Sequence, residues 1–398
     1  MRGTQIFLLA TMLIDAIGFG IIAPVIPKLV MRLTGDPLND AAAIGGWLMV
    51  AYAAMQFFAA PVLGNLSDRY GRRPILLGSL AALMLDYVLM AVAPTLAWLF
   101  LGRVIAGAAG APYATATAVI TDTTPADSRA QQFGMLGAAW GVGFILGPAI
   151  GGLLGGFGPR VPFWAAAGLA AANLLLGALV FRETLGTESR RPFTWQRANL
   201  PGALRAVRGV PGVFTLLGVA LLYRLAHDAL PSTWTFFTIA RFGWGVSEVG
   251  LSLAFIGLVT AIVQGGLIGT ITKALGERGS AYLGLAAGAF AMFGYALAPN
   301  VPVLLLFIAI GALFGVAMPS IQTMMTRQVP ANAQGELQGA LSGIMSVTSI
   351  ISPFVMTQLF RVFSSDSPPF GLVLPGAPFI AAGAMLVVAA GIVRVAKR

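Results

Sequence analysis

Three charged residues stand in the middle of long apolar runs: Asp15 in "LIDAIGFGIIAPVIP", Asp86 in "LMLDYVLM" and Arg103 in "LGRVIAGAAG". A charge at the centre of a bilayer costs about 2.5–3.5 kcal/mol on insertion scales, so such residues usually face a cavity and serve transport. An aspartate whose access and partners change can take up and release a proton there. Asp15, then Asp86, are the candidate coupling acids, and Arg103 is the third member. The bland alternative is a static buried pair with Arg103 that holds helices together. A second set, Arg224, His227 and Asp228, lies in the seventh apolar run, with the chain's one histidine near that run's outer end. It is either a surface residue at a helix end or a titrating group.

The elements that position these residues must be membrane helices. Of the 398 residues 58% are hydrophobic and 10% charged, whereas a soluble domain carries roughly a quarter charged residues. Apolar runs of about twenty residues are too long for barrel strands, and helices satisfy their backbone groups within one segment. Spans are expected near 5–27, 43–63, 75–94, 97–119, 133–156, 162–181, 212–231, 248–269, 281–298, 301–323, 338–361 and 376–394. The first could be mistaken for a secretory signal, but Asp15 interrupts it and no small-residue cleavage pattern follows. With the N-terminus inside, seventeen Lys and Arg fall on the cytoplasmic side and five on the other, with Arg103 and Arg224 inside spans. Both termini are then cytoplasmic. The same bias explains the net charge of +10, so no nucleic-acid partner is inferred. Residues 184–210 form the one long polar segment, a linker that is either a plain loop or partly a basic surface helix. It separates an N-terminal half (1–183) from a C-terminal half (211–398).

Shifting the chain by 205 residues pairs Gly64 with Gly269, Gly71 with Gly276, Arg73 with Arg278, Gly110 with Gly315, Pro125 with Pro330 and Pro148 with Pro353. Two parallel six-helix halves follow. The loop "GNLSDRYGRRP", Gly64 to Pro74, resembles the signature between the second and third helices of the major facilitator superfamily. There the expected turn is supplied by Gly64 and Gly71. The resemblance implies that Asp68 stabilises the outward-open state, with Arg72 and Arg129 as further gate residues. Arg69 and Arg73 either share that role or only set topology. The second copy, "GTITKALGERG", has Lys273 where the first has Asp68 and is read as a decayed repeat. In the fifth helix "GVGFILGPAIGG" resembles the superfamily's proton-antiporter motif, placing Gly141, Gly143, Gly147, Pro148, Gly151 and Gly152 in it. Generic small-residue packing accounts for the glycines alone, less well for their combination with Pro148.

With "RFGWG" at 241–245 and "GELQG" at 335–339, the chain is similar from end to end to bacterial tetracycline/proton antiporters. The resemblance implies an all-α integral membrane protein of twelve helices in two pseudo-symmetric six-helix bundles, the major facilitator fold. It further implies a multi-pass protein of the bacterial inner membrane, functional as a monomer, with no cofactor beyond the proton gradient and no resident metal. A tetracycline-like drug, accompanied by a divalent cation, is the implied cargo. It makes Asp15, Asp86 and Arg103 the coupling residues. Gln56 and Gln264 match the family's surroundings, and Tyr113, His227, Asp228, Trp234 and Phe237 join them as substrate-binding candidates. The family's histidine in the eighth helix and aspartate in the ninth are missing, where this chain has Thr260 and Gly288. His227 and Asp228 are candidates to replace them. Another amphiphile is therefore a possible cargo, and a proton-coupled symporter or facilitator of a small metabolite is the alternative transport reading. No HExxH, GxSxG, phosphate-cradling loop or metal-spaced histidine set is present, so no enzyme is expected, and the absence of cysteine removes thiolate chemistry.

Overall fold

The computed structural model describes residues 2–110, 112–192, 211–330 and 333–395. Their regular elements are all helical. Most of the linker, residues 193–210, and with it the suggested surface helix, lies outside the described residues. Eleven helical stretches in the described residues are long and apolar enough to cross a membrane. One of them, Val246–Leu297, has 52 residues, about twice what one crossing of a 30 Å core needs. Its backbone leaves helical geometry at Gly276 (φ 66°, ψ 175°), which divides the stretch in two.

The helices are α1 (Arg2–Ile22), α2 (Ile26–Thr34), α3 (Leu38–Tyr70), α4 (Arg72–Val92), α5 (Leu96–Ala108), α6 (Pro112–Thr123), α7 (Ala126–Gly155) and α8 (Val161–Val180). After the linker come α9 (Pro211–His227), α10 (Ala229–Phe242), α11 (Val246–Ile262), α12 (Ile268–Leu297), α13 (Val301–Gly311), α14 (Ala317–Thr326), α15 (Gln334–Phe363) and α16 (Ala377–Val395). Two sequence expectations change. The seventh span runs from Gly212 to Phe242, because the Thr-rich stretch after Pro231 stays helical. His227 and Asp228 are therefore mid-span, not near its outer end. Gly64 makes no turn: α3 continues through it to Tyr70, and the chain reverses at Gly71 alone (φ 108°).

Two compact units form. Unit 1 is Met1–Asp36, Ala51–Ala198 and Gly245–Ala254; unit 2 is Pro37–Val50, Asn199–Trp244 and Phe255–Arg398. The start of α3 clusters with unit 2 through an Asp40–Arg361 ion pair at 2.6 Å and Trp47 against Phe354. The first turns of α11 cluster with unit 1 because Gly250 meets Gly152 backbone to backbone, and Ser247 Oγ donates to the Gly152 carbonyl at 3.2 Å.

In unit 1, α1 packs along α7 and α8 over a core that includes Phe7, Leu8, Met12, Leu76 and Phe181. The antiporter-motif glycines make this contact. A Cβ on Gly143 would lie 2.5 Å from the Leu13 carbonyl oxygen, and one on Gly147 2.7 Å from that of Ile17. Gly151 meets the Ile21 backbone in the same way, while Gly141 has open space. Small residues every fourth position thus let two backbones touch. In unit 2, α12 packs on α16 and α14, and α9 on α16 and α15.

The 205-residue repeat has physical content. Arg73 Nη2 donates to the Ala178 carbonyl at 2.7 Å, in the last turn of α8. Its repeat partner Arg278 donates to the Val393 and Arg394 carbonyls at 3.0 and 2.6 Å, in the last turn of α16. Each arginine caps the carbonyl end of its own unit's last helix. Both units also break a helix at the paired glycines: α5 ends just before Gly110, and a 3₁₀ stretch at Ala312–Val316 contains Gly315.

Candidate functional site

Asp86, from α4, is fully buried and accepts a hydrogen bond from Arg103 Nη2 of α5 through Oδ2. Its Oδ1 and the Arg103 Nε are buried without a hydrogen-bond partner among the described residues. Asp15, from α1, lines the same cleft with Tyr52, Tyr87 and Trp140 but is not ion-paired to Arg103. The cleft admits a water-sized guest and not a drug. Arg103 sits over the Tyr52 ring, 5.8 Å from its centroid. The Tyr52 hydroxyl accepts from Gln56 Nε2 at 3.3 Å, and the same amide donates to the Gly110 carbonyl at 3.2 Å. Gln56 thus ties the helix break at Gly110 to the charged cleft. Arg103 is thus ion-paired to Asp86 and not to Asp15.

Chemically, an arginine bonded to one oxygen of a carboxylate, with that carboxylate's other oxygen free and a second acid across a water-sized gap, can move a proton. Protonating Asp86 would remove its negative charge, break the ion pair and leave the Arg103 cation to engage Asp15.

At the end of unit 1 where α3 meets α4, Arg72 is the hub. Its Nη1 bonds Asp68 Oδ1 at 2.7 Å and its Nε bonds Asp122 Oδ2 at 2.9 Å. Glu183, just beyond α8, accepts backbone N–H bonds from Arg72 (2.8 Å), Arg73 (3.1 Å), Thr184 (3.0 Å) and Leu185 (3.0 Å). It thereby caps the N-terminus of α4, the role an N-cap side chain usually plays locally. Burial alone would raise the Glu183 pKa, but the four N–H donors outweigh it and hold the carboxyl below its ordinary value. Gly71 is required twice, by its positive φ and because a Cβ would run into Glu183. Arg129 is not part of this network: it donates to the Thr124 and Thr121 carbonyls at 3.0 and 2.9 Å and fastens the end of α6.

Sequence reasoning missed Asp122 and Glu183. The first ends the fourth span in "VITDTTP" and the second opens "ETLG" after the sixth. A lone acid at a helix end, amid arginines, was the available signal.

The substrate candidates scatter. Tyr113 is 51% exposed and meets Trp140 edge-on. Trp234 and Phe237 are buried in a ring cluster with Tyr295 and Phe379, which places them in the core of unit 2 and not along a path. Gln264 sits in a π-helical turn, Val263–Leu267, against Gly315, as Gln56 sits against Gly110. His227 and Asp228 pair at 3.1 Å. The described residues contain no group of three or more His, Asp or Glu able to hold a metal.

Comparison with known proteins agrees with this architecture. Residues 8–353 match the model of the Major Facilitator Superfamily. The chain is 39% identical over 367 residues to the class C tetracycline resistance protein of Escherichia coli, covering 90% of each. It is 40% identical over 374 residues to the class G tetracycline resistance protein of Vibrio anguillarum, covering 90% of this chain and 91% of that one. A crystal structure of the nucleoside transporter NupG superposes with a TM-score of 0.78 at 14% identity, over 99% of this chain and 98% of the other. That last likeness concerns fold alone. The chain belongs to the major facilitator superfamily.

Proposed function

We propose that this protein is a proton-coupled efflux transporter that exports a tetracycline-like amphiphile by alternating access, with protons moving inward as the drug moves out. The observation that carries it is the Asp15–Asp86–Arg103 cleft: three charges in mid-membrane, one pair made through a single oxygen, one acid left over. A purely structural pair would not need the third charge. The tetracycline resistance proteins at 39% and 40% identity support the cargo class, and a divalent cation travelling with the drug belongs to the cargo. The protein works in the bacterial inner membrane, as a monomer, with both termini in the cytoplasm. A membrane potential of 100 mV contributes about 2.3 kcal/mol per charge moved, so an exchange that moves net charge gains from voltage as well as from the pH gradient.

The test is uptake of tetracycline into proteoliposomes under an imposed proton gradient of either sign, comparing wild type with Asp15→Asn. Uptake driven when the interior is acid, and lost in the variant, supports antiport. Accumulation driven by inward proton flow would favour a symporter, and full gradient-driven transport in Asp15→Asn would overturn the assignment of Asp15.

A further inference from the structure

Midway along the Gly212–Phe242 span, α9 ends at His227 and α10 begins at Ala229, with Asp228, still in helical geometry, between them. Asp228 is only 8% exposed. Its Oδ1 is held by His227 Nδ1 at 3.1 Å, yet its Oδ2 is buried without a hydrogen-bond partner among the described residues. One turn earlier, Arg224 Nε is also buried and unpartnered. Residues four apart lie on one helix face with Cβ atoms about 5–6 Å apart, so an anion and a cation that each keep one unsatisfied atom stand side by side. Three rings flank them. Tyr223 and Phe314 have centroids 4.3 Å apart, and His227 lies 6.1 and 6.2 Å from each.

Leaving a buried polar atom without a partner is unfavourable, the more so on a charged group, and here it happens twice within one turn. An ion pair between Arg224 and Asp228 through these atoms would have removed it, and the structure does not make one. What satisfies both is a guest that brings an ammonium for Asp228, an anionic oxygen for Arg224 and a flat apolar body for the rings. We infer that Arg224, His227 and Asp228 form a charge-reading subsite for a zwitterionic aromatic substrate, separate from the Asp15–Asp86–Arg103 cleft. His227 is a positioning residue in it: with Nδ1 protonated it donates to Oδ1 and turns the free Oδ2 toward the guest. The inference rests on the drug-export reading and assigns it a recognition point within unit 2.

The experiment is equilibrium binding to the purified full-length protein at neutral pH with three probes. Tetracycline carries a dimethylammonium beside an ionised tricarbonyl group, its 4-desdimethylamino analogue lacks the ammonium, and ethidium carries positive charge alone. Wild type should prefer tetracycline to the analogue by about tenfold or more, equivalent to roughly 1.4 kcal/mol. Asp228→Asn should bring that preference to within about twofold while changing the analogue little, because only one of the two probes has a charge for the lost carboxylate. Asp228→Glu, which keeps the charge, should retain a measurable preference, and it serves if the asparagine variant is misfolded by gel filtration. Equal weakening of both probes, or an unchanged preference in Asp228→Asn, overturns the subsite and leaves the export reading standing. Tight ethidium binding with no binding of tetracycline overturns the zwitterion assignment. Binding of none of the three by wild type overturns drug export and the subsite together.

Discussion

The free Oδ1 of Asp86 and the free Nε of Arg103 set the first prediction at the scale of the residue. Removing one member of a buried pair leaves the other as an uncompensated charge, which costs about 3–5 kcal/mol. Arg103→Met alone should therefore lower the unfolding temperature sharply. The double change Asp86→Leu with Arg103→Met removes both charges and should recover most of that stability, yet not gradient-driven transport. Thermal unfolding and proteoliposome uptake on the same samples check this, and a double variant transporting at the wild-type rate would reduce the pair to scaffolding. Glu183 gives a pH-resolved prediction. Its pKa is held below the ordinary 4.5 by four N–H donors, so its stabilisation is fully present above about that value and disappears as pH falls through the lowered one. Glu183→Gln should destabilise unit 1 at neutral pH by on the order of 1–2 kcal/mol, the scale of a lost helix cap. The gap from wild type should narrow under acid. A difference that stays constant down to acid pH would show that the carboxylate charge plays no part. Asp86 and Arg103 were legible because a charge in an apolar run is conspicuous. Glu183 was not, since the groups it caps on α4 are backbone N–H groups 110 and 111 residues away, and backbone N–H groups leave no mark in a sequence.

Helix packing gives predictions that differ in sign. Gly147 and Gly141 belong to one motif, but Gly147 rests on the backbone of α1 and Gly141 faces open space. A methyl at Gly147 must displace backbone, which cannot turn aside as a side chain can. Gly147→Ala should cost about 1–3 kcal/mol by overpacking and should slow transport as well, because it pushes on the turn of α1 that follows Asp15. Gly141→Ala should be neutral, or stabilising by up to about 1 kcal/mol through helix propensity. Parallel unfolding curves decide this, and equal losses in the two variants would mean that the α1–α7 contact is not what the motif provides. The motif's identity was readable from small residues and a proline, but which glycine touches what depends on helix phase and on the partner helix. The seventh span misled for a related reason. Twenty apolar residues suffice for a crossing and end near 231, whereas buried hydroxyls such as Thr233 and Thr238 satisfy themselves on α10's own carbonyls in a helix that runs to Phe242. That error moved His227 and Asp228 from mid-span to an end and hid their setting.

For the molecule as a whole, the question is how many times the chain crosses, and it turns on the 52 residues of Val246–Leu297. The asymmetry of seventeen basic residues against five assumes that this stretch crosses twice with its turn in the cytoplasm. If it crossed once, everything after it would invert, and Arg327, Arg394, Lys397 and Arg398 would face the outside. The pairing of Gly276 with Gly71 at the 205-residue offset argues for two crossings, since both leave helical geometry there with positive φ. The chain contains no cysteine, so each cysteine introduced singly reports its own position. Thr95 and Asp366, both exposed outer-loop positions on this arrangement, should react with a membrane-impermeant maleimide in intact cells. Glu188 and Lys273 should react only after the membrane is opened. Lys273 is the decisive site, because it lies inside a stretch that is continuous by hydropathy and sits three residues before the turn. Labelling of Lys273→Cys from outside, or protection of Asp366→Cys in intact cells, would break the twelve-crossing arrangement and the parallel repeat with it. The expected pattern would place the Arg73 and Arg278 caps at the same membrane face, where two copies of one ancestral helix end still fasten their units in the same way.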